Sequence, residues 1–148
     1  MPVLFNFEVH TPYRPFFSGK VEYISLTLRD GEIGVYAKHS PFTAPVQSCI
    51  LFIRDEGGKE RSAFITDGIL EVKDHKTVLM VDTAEWPQEI DKERALAAKQ
   101  NAQTSLESAM LKFETDKAKA RLRRAEFRLK ACELRETGKK EQVTGNKE

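Results

Sequence analysis

Several features that would assign this chain to a familiar class are missing from its sequence. No run of 18 apolar residues occurs, so the sequence predicts no helix that spans a bilayer. The first residues lack a basic segment followed by an apolar run, so we expect no secretory signal. Only two cysteines are present, Cys49 and Cys132, and their wide separation favours reduced thiols over a disulfide framework. Together these absences predict a soluble intracellular protein.

Catalytic and metal-binding motifs are also lacking. His10, His39 and His75 are scattered without metal-ligand spacing, neither cysteine has a Cys-x-x-Cys partner, and no P-loop pattern occurs. His39 precedes Ser40, but neighbours on an extended chain point to opposite faces, so this pair does not indicate a nucleophile and its base. A turn histidine that hydrogen-bonds locally is the preferred interpretation. The sequence therefore does not favour an enzyme.

What the sequence does contain divides near residue 90. All six prolines and six of the eight glycines precede that residue, whereas residues 91–137 contain neither of these helix-interrupting types. The formal net charge is −4 before Asp91 and +5 from Asp91 onward, which gives the +1 of the 148-residue chain. The predicted organisation is a β-sandwich domain at residues 1–87, a two-helix regulatory domain at residues 88–136 and a disordered polar tail at residues 137–148.

Short apolar segments separated by turn signals predict strands in the first domain. Val3, Phe5, Phe7 and Val9 recur at every second position, which is the period of a half-buried strand. Gly57-Gly58 reads as a hairpin loop between two such segments. The other predicted strands lie within residues 21–28, 33–36, 49–53, 63–66, 69–72 and 78–81. No helix-length pattern separates them, so the sequence predicts an all-β sandwich or small barrel, not a parallel βαβ sheet.

Apolar residues at every third or fourth position predict helix in the second domain. The two predicted stripes are Ala95, Ala98, Ala102, Leu106, Ala109 and Phe113, then Ala118, Leu122, Ala125, Leu129 and Cys132. Asp91 is the predicted N-cap of the first helix, and Thr115 or Asp116 that of the second. An antiparallel hairpin is favoured, with one continuous rod as the alternative. Because alanine contributes only about 0.8 kcal/mol per buried carbon, a ligand or partner could shift this weakly held structure.

The second helix is strongly basic. Residues 117–135 contain eight basic and two acidic side chains, whereas a solvated helix face usually interleaves both signs. This excess favours an acidic partner. Nucleic acid is the competing interpretation, but the segment has one aromatic residue, Phe127, on which a base could stack, and the first domain is acidic.

An ordered set of motifs carries a resemblance to a known family. The motifs run from Gly31 to Phe42, from Asp67 to Val72 and from Val81 to Ala84, and Phe17-Ser18-Gly19 precedes them. In this order and at these separations they resemble the epsilon subunit of bacterial F-type ATP synthase, from about Phe5 to Arg135. Asp67 stands where Gly is commoner, which a turn with negative φ, or Asp in the left-handed region, would accommodate.

The resemblance implies a non-catalytic rotor subunit that serves ATP synthesis driven by the proton gradient. It implies a ten-stranded sandwich on the c-ring, bound to subunit gamma, at the cytoplasmic face of the bacterial plasma membrane and associated with that membrane only through the complex. The implied ring and gamma contacts are Glu32, His39, Ser40 and Pro41. The helices would meet an acidic loop of the catalytic beta subunits in the alpha/beta head and restrain ATP hydrolysis. The implied beta contacts are Lys119, Arg121, Arg123, Arg124, Arg128 and Lys130.

A regulatory ATP is also implied, although no cofactor is required. Residues 90–95 match the pattern Ile/Leu-Asp-x-x-Arg-Ala by which some members of the family bind ATP. The implied set is Glu85, Ile90, Asp91, Arg94, Ala95, Arg128 and Arg135. Arg128 enters as a substitute because a family arginine falls on Ala131, and another is replaced near Asn101. For this ATP set, the alternative is that Asp91 is only an N-cap. For the function of the chain, the alternative is a free-standing ATP-sensing adaptor outside the synthase.

Overall fold

The computed structural model describes residues 3–145, and for residues 136–145 it describes the backbone alone. The chain divides into two compact units at the step from Glu85 to Trp86. The first unit is built from strands and the second from helices, as the change in composition near residue 90 predicts.

Nine strands form the first unit, where the resemblance implies ten. They are β1 (Phe5–His10), β2 (Pro15–Leu28), β3 (Gly31–Tyr36), β4 (Phe42–Val46), β5 (Cys49–Asp55), β6 (Glu60–Ile65), β7 (Gly68–Val72), β8 (Lys76–Val81) and β9 (Ala84–Glu85). The prediction of an all-β sandwich is confirmed, and residues 3–85 contain no helix. The strand β2 is unusually long and continues past a register shift in its pairing with β5, between Val21 and Tyr23. Its first half pairs with β1 and its second half with β3, so the two halves act as separate strands.

The topology is organised around β2. This strand pairs antiparallel with β1, β3, β4 and β5. Strand β1 also pairs in parallel with β8, and the path β8-β7-β4 returns to β2, so these five strands close on themselves. Strands β5, β6 and β9 extend the sheet on the other side of β2.

Alternating burial along the strands builds the core. In β1, Phe7 and Val9 are fully buried while Asn6 is exposed, which is the predicted two-residue period. Val3 is 58% exposed and precedes the strand, so the predicted start at Val3 is wrong by two residues. The other large buried side chains are Val21, Ile24, Val35, Leu51, Ile53, Phe64, Ile65, Leu70 and Leu79. Each contributes about 1.5–3 kcal/mol on burial.

Two aspartates organise turns in the first unit. Asp55 Oδ1 accepts from the Gly57 and Lys59 amides at 2.9 and 3.0 Å, and Gly58 has φ +79°, so the predicted glycine hairpin is confirmed. Asp67 Oδ1 accepts from the Ser48 amide at 2.7 Å and from its hydroxyl at 2.9 Å. Among the non-glycine residues from 3 to 145, Lys38 alone has positive φ. Asp67 therefore follows the predicted negative-φ route, and its carboxylate joins two loops.

The second unit is a helical hairpin. A single 3₁₀ turn at Pro87–Glu89 leads to α1 (Lys92–Ser108), and α2 (Lys112–Gly145) follows after three residues. The two helices pack against each other, so the alternative of one continuous rod is wrong. None of the described helices combines the length and apolar composition needed to cross a bilayer.

The end of α2 enters the segment that the sequence predicts as a disordered tail from residue 137. The backbone is helical as far as Gly145. The side chains of this segment, and all of residues 146–148, lie outside the described residues, so the disorder of the tail stays a prediction.

Candidate functional site

The N-terminus of α1 is capped as predicted. Asp91 has extended backbone angles, and its Oδ1 accepts a hydrogen bond of 3.1 Å from the Arg94 amide. The Asp91 carbonyl oxygen accepts from the Ala95 amide at 3.0 Å. The carboxylate thus satisfies one of the free amides at this helix end and neutralises part of its dipole. The exposed Arg94 side chain adds a positive charge at this terminus.

The residues of the implied ATP set lie on several elements. Glu85 lies in β9 of the first unit, opposite Phe64. Ile90 ends the 3₁₀ turn, donating its amide to Pro87, and Ala95 is only 3% exposed. These positions follow from the local fold and do not by themselves show an ATP site.

The second-helix members of this set lie in the later part of α2, which runs antiparallel to α1 and contacts the 3₁₀ turn that precedes it. Arg128 lines a cavity with Ala98 and Asn101, one helical turn or more beyond Arg94. Arg135 lies further along α2 and is exposed.

Glu114 caps the start of the second helix, a role that its residue type did not predict. Its Oε2 accepts hydrogen bonds from the amides of Met110, at 3.1 Å, and Leu111, at 3.4 Å. Glu114 is the third residue of α2, so this is the acidic half of a capping box. The predicted caps, Thr115 and Asp116, are wrong because the helix begins at Lys112, ahead of both.

Small side chains fill the contact between the helices. Ala102, Ala118 and Ala125 are each at most 2% exposed and face the space between α1 and α2. The prediction of an alanine-rich stripe is confirmed in this part. Phe113, the last residue of the stripe predicted for the first helix, lies instead in α2. It is 66% exposed, because the chain has already turned at residues 109–111.

The basic residues of α2 fall on two flanks of the helix. Arg121, Arg124 and Arg128, the cleft arginines, are spaced three and four apart and line the space beside α1. Lys119, Arg123 and Lys130, the outer cations, project from roughly the opposite side at 3.6 residues per turn. The Arg123 guanidinium lies 5.1 Å from the centre of the Phe127 ring. The six implied beta contacts therefore do not form a single face.

Two adjoining cavities lie between the helices on the side of the cleft arginines. One, of about 400 Å³, is near the hairpin turn, and the other, of about 250 Å³, is further toward the start of α1. The first is lined by Ser105, Ser108, Ala109, Phe113, Glu114, Lys117, Ala118 and Arg121. The second is lined by Ala98, Asn101, Ala102, Ser105, Arg121, Arg124, Ala125 and Arg128. Ser105 and Arg121 line both, so the two cavities adjoin, and together they are here called the interhelical cleft.

The implied ring and gamma contacts lie at two ends of β3. Glu32 is near its start, paired with Thr27, and the other three follow its end in an exposed loop. The loop is shaped by Lys38, which has φ +65°, and by His39, whose Nδ1 donates to the Ser40 carbonyl oxygen at 2.8 Å. Glu32 and the loop are thus separated by about 13 Å of strand at 3.3 Å per residue.

The hydrogen bond from His39 to the Ser40 carbonyl oxygen is a local contact within the loop. His39 also packs against the Phe42 ring, with centroids 5.1 Å apart, so the preferred interpretation of a locally bonded turn histidine is confirmed. Among the described residues, no group of three or more His, Cys, Asp and Glu side chains could hold a metal ion.

Two family models match the chain in succession. The model of the ATP synthase delta/epsilon chain β-sandwich domain matches residues 4–87, and that of its long α-helix domain matches residues 88–133. The chain belongs to the ATP synthase delta/epsilon family. The resemblance carried by its motifs is therefore confirmed.

Curated relatives of this family member carry the name ATP synthase epsilon chain. The one from Caldicellulosiruptor saccharolyticus is 48% identical over 103 residues, which are 70% of this chain and 74% of the relative. The one from Caldanaerobacter subterraneus is 40% identical over 106 residues, 72% of this chain and 77% of the relative.

Solved structures show the same fold at lower identity. A chain of the Euglena gracilis mitochondrial ATP synthase, in an OSCP/F1/c-ring structure, aligns with a TM-score of 0.76 at 23% identity. That alignment covers 85% of this chain and 79% of the other. A chain of the Tetrahymena thermophila mitochondrial ATP synthase, in a structure of the central stalk and c-ring, aligns with a TM-score of 0.62 at 17% identity. That alignment covers 88% of this chain and 98% of the other.

Proposed function

We propose that this chain is a non-catalytic central-stalk subunit of an F-type ATP synthase, which links subunit gamma to the c-ring. Its helical unit restrains ATP hydrolysis by the alpha/beta head. The observation that carries the proposal is the succession of a strand unit and a helical hairpin that match the two family domains in order. In a bacterial cell the subunit would lie at the cytoplasmic face of the plasma membrane, held there by the complex.

The sandwich supplies the attachment. Glu32 at one end of β3 and the loop carrying His39, Ser40 and Pro41 at the other are all exposed. We assign them to separate contacts, because a single small surface would not include both ends of the strand. The local bonds of His39 keep the loop in one shape, which lowers the entropy lost on binding.

The helical unit supplies the regulation. Alanines form much of the contact between its helices, and each buried methyl group contributes about 0.8 kcal/mol. A contact of this size can be opened by a partner whose affinity for the two states differs by a few kcal/mol. Of the outer cations, Lys119 and Lys130 are exposed in the packed hairpin, whereas Arg124 and Arg128 are half-buried beside α1. An acidic loop of subunit beta would therefore meet Lys119 and Lys130 before these two arginines.

Truncation of the assembled complex tests this function. Removal of the chain from Asp91 onward should leave the sandwich folded and the complex assembled, and should raise its ATP hydrolysis rate. The matched control removes only residues 137–148, which lie beyond the segment matched by the family model. Unchanged hydrolysis in the first variant would refute the regulatory role.

A regulatory ATP at the start of α1 is the second proposal, supported by the match of residues 90–95 to the nucleotide pattern. The test combines Asp91→Asn, which keeps an oxygen for the cap, with Arg94→Ala, and measures ATP affinity by calorimetry. The control changes Lys92 and Glu93 to alanine in the same turn and also preserves the net charge. Equal affinity in the test variant and the parent chain would exclude this site.

A free-standing ATP-sensing adaptor is the competing function. A pull-down from the native cell separates the two, because a synthase subunit should co-purify with subunits gamma and beta. Recovery of the chain without either subunit would favour the adaptor.

A further inference from the structure

The backbone of Lys38 is strained. Its φ of +65° lies in the left-handed region, which side chains other than Asn and Asp seldom adopt. Asn and Asp are tolerated there because they can bond locally to the backbone, and a lysine side chain has no such compensation. Glycine would form the same turn without strain. A lysine kept at this position points to a use for its side chain outside the turn.

The Lys38 ammonium is an unpaired charge. Among the residues whose side chains the structure describes, none forms a hydrogen bond or an ion pair with it. Lys38 is exposed, and the sequence from Ile33 to Arg54 contains no Asp or Glu. Residues 1–90 as a whole are acidic, with 9 Lys and Arg against 13 Asp and Glu. The turn thus presents a positive charge on a unit of the opposite sign.

Local contacts hold this turn in one shape. The His39 amide donates to the Tyr36 carbonyl oxygen at 3.3 Å, and His39 Nδ1 donates to the Ser40 carbonyl oxygen at 2.8 Å. The His39 and Phe42 rings pack with their centroids 5.1 Å apart. The backbone that carries Lys38 is therefore ordered before any partner binds, which lowers the entropy lost on binding.

The end of β3 beside the turn indicates a protein partner. Tyr36, two residues before Lys38, is 59% exposed although its ring packs against Tyr23 with centroids 4.6 Å apart. Exposed tyrosines held in place are typical of the residues that dominate protein interfaces. A small free anion is held best by several converging donors, whereas a single ammonium suits one carboxylate on a protein surface.

We propose that Lys38 binds a carboxylate of the subunit that contacts the loop of His39, Ser40 and Pro41. This inference rests on the proposed function, which assigns that loop to a contact within the synthase, and it adds Lys38 to the residues of the contact. Glu32, at the other end of β3, carries the opposite charge. Charges of opposite sign at the two ends of one strand fix the orientation of the sandwich, because a reversed placement would set like charges against each other.

Rebinding of the full chain to a native synthase complex stripped of this subunit tests the proposal. Biolayer interferometry measures the dissociation constant at low and at high salt. Lys38→Asn removes the charge and keeps the turn, since Asn tolerates the left-handed region, whereas Lys38→Arg keeps the charge. The matched control is Lys59→Asn, which removes an exposed lysine without a described ion pair from another turn of the same unit.

Lys38→Asn should bind about fivefold more weakly than the parent chain at low salt and within about twofold of it at high salt, because salt screens an exposed ion pair. Lys38→Arg and Lys59→Asn should stay within about twofold of the parent chain at low salt. Parental affinity of Lys38→Asn at low salt would overturn the proposal. Equal weakening in Lys59→Asn would also overturn it, since that would indicate unspecific attraction between charges.

A second variant separates the charge from the strain. Lys38→Gly should raise the melting temperature of the sandwich by about 4 °C, followed by circular dichroism, and should weaken rebinding as much as Lys38→Asn. Weakening in Lys38→Arg as large as in Lys38→Asn would overturn the proposal, because the charge would then not be what the partner recognises. A parent chain that does not rebind the stripped complex would refute the proposed function itself, and this inference with it.

Discussion

Replacement of Glu114 by alanine should weaken the hairpin turn more than any other single change in an exposed carboxylate of the second unit. The side chain accepts from two backbone amides, of Met110 and Leu111, at the point where α2 starts. Loss of a capping acceptor typically costs about 1 kcal/mol. The first turn of α2, marked by the bond from the Thr115 amide to the Leu111 carbonyl oxygen, should then open about five times more often.

Amide hydrogen exchange followed by NMR measures this effect where it occurs. The Thr115 amide should exchange about fivefold faster in Glu114→Ala, while amides in the centre of β5 should not change. Asp116→Ala is the matched control, because it removes a neighbouring exposed carboxylate that makes no described capping bond. If Asp116→Ala accelerated exchange as much as Glu114→Ala, the assignment of the cap to Glu114 would be refuted.

Two further predictions concern the sandwich. Gly68→Ala would bring a Cβ against the carbonyl oxygen of Met80, so it should lower the free energy of unfolding by about 1–3 kcal/mol, as measured in urea. Gly19→Ala is the control. Its Cβ would meet only ordinary contacts, so the free energy of unfolding should change by less than about 0.5 kcal/mol. The pKa of the Glu8 carboxyl is held below its ordinary value of 4.5, first by a hydrogen bond from Lys76 and then by one from His10. Because the folded pKa is the lower one, this stabilisation is present above pH 4.5 and is lost as the pH falls through the folded value. Lys76→Met should raise the pKa of Glu8 in an NMR titration, and an unchanged pKa would contradict this assignment.

Local patterns were sufficient to predict several parts of the fold. Asp91 is an N-cap because its short carboxylate reaches the Arg94 amide within one turn, which needs no distant contact. The glycine hairpin after Asp55 is likewise determined by neighbouring residues. Such features depend on a few consecutive side chains, so the sequence alone specifies them.

Other parts depend on distant contacts. Strand β4 contains Pro45, and its pairing with β7 across more than twenty residues leaves no periodic signal in the segment itself. The start of α2 was misplaced because Thr115 and Asp116 are better caps by residue type than Leu111. The long-range packing of the two helices, which determines where the chain turns, is not visible in that preference.

The candidate site shows the same limit. The excess of positive charge in α2 is evident from residue counts, but its division between the cleft arginines and the outer cations depends on how α2 is rotated about its axis beside α1. Asn101 and Ser105 line the interhelical cleft, but the sequence did not predict them as site residues, since single polar residues on a helix are usually solvated. Reading residues 105 and 121 as neighbours required the hairpin itself.

The four partners of β2 have a mechanical consequence. A load applied to one strand of this unit is passed to β2 and divided among its ladders with β1, β3 and β5 and its single pairing with β4, between Leu28 and Val46. Antiparallel ladders loaded along the strand direction resist in shear, with many hydrogen bonds strained at once instead of one after another. A component fixed at opposite ends of β3 would thus transmit torque with little internal twist.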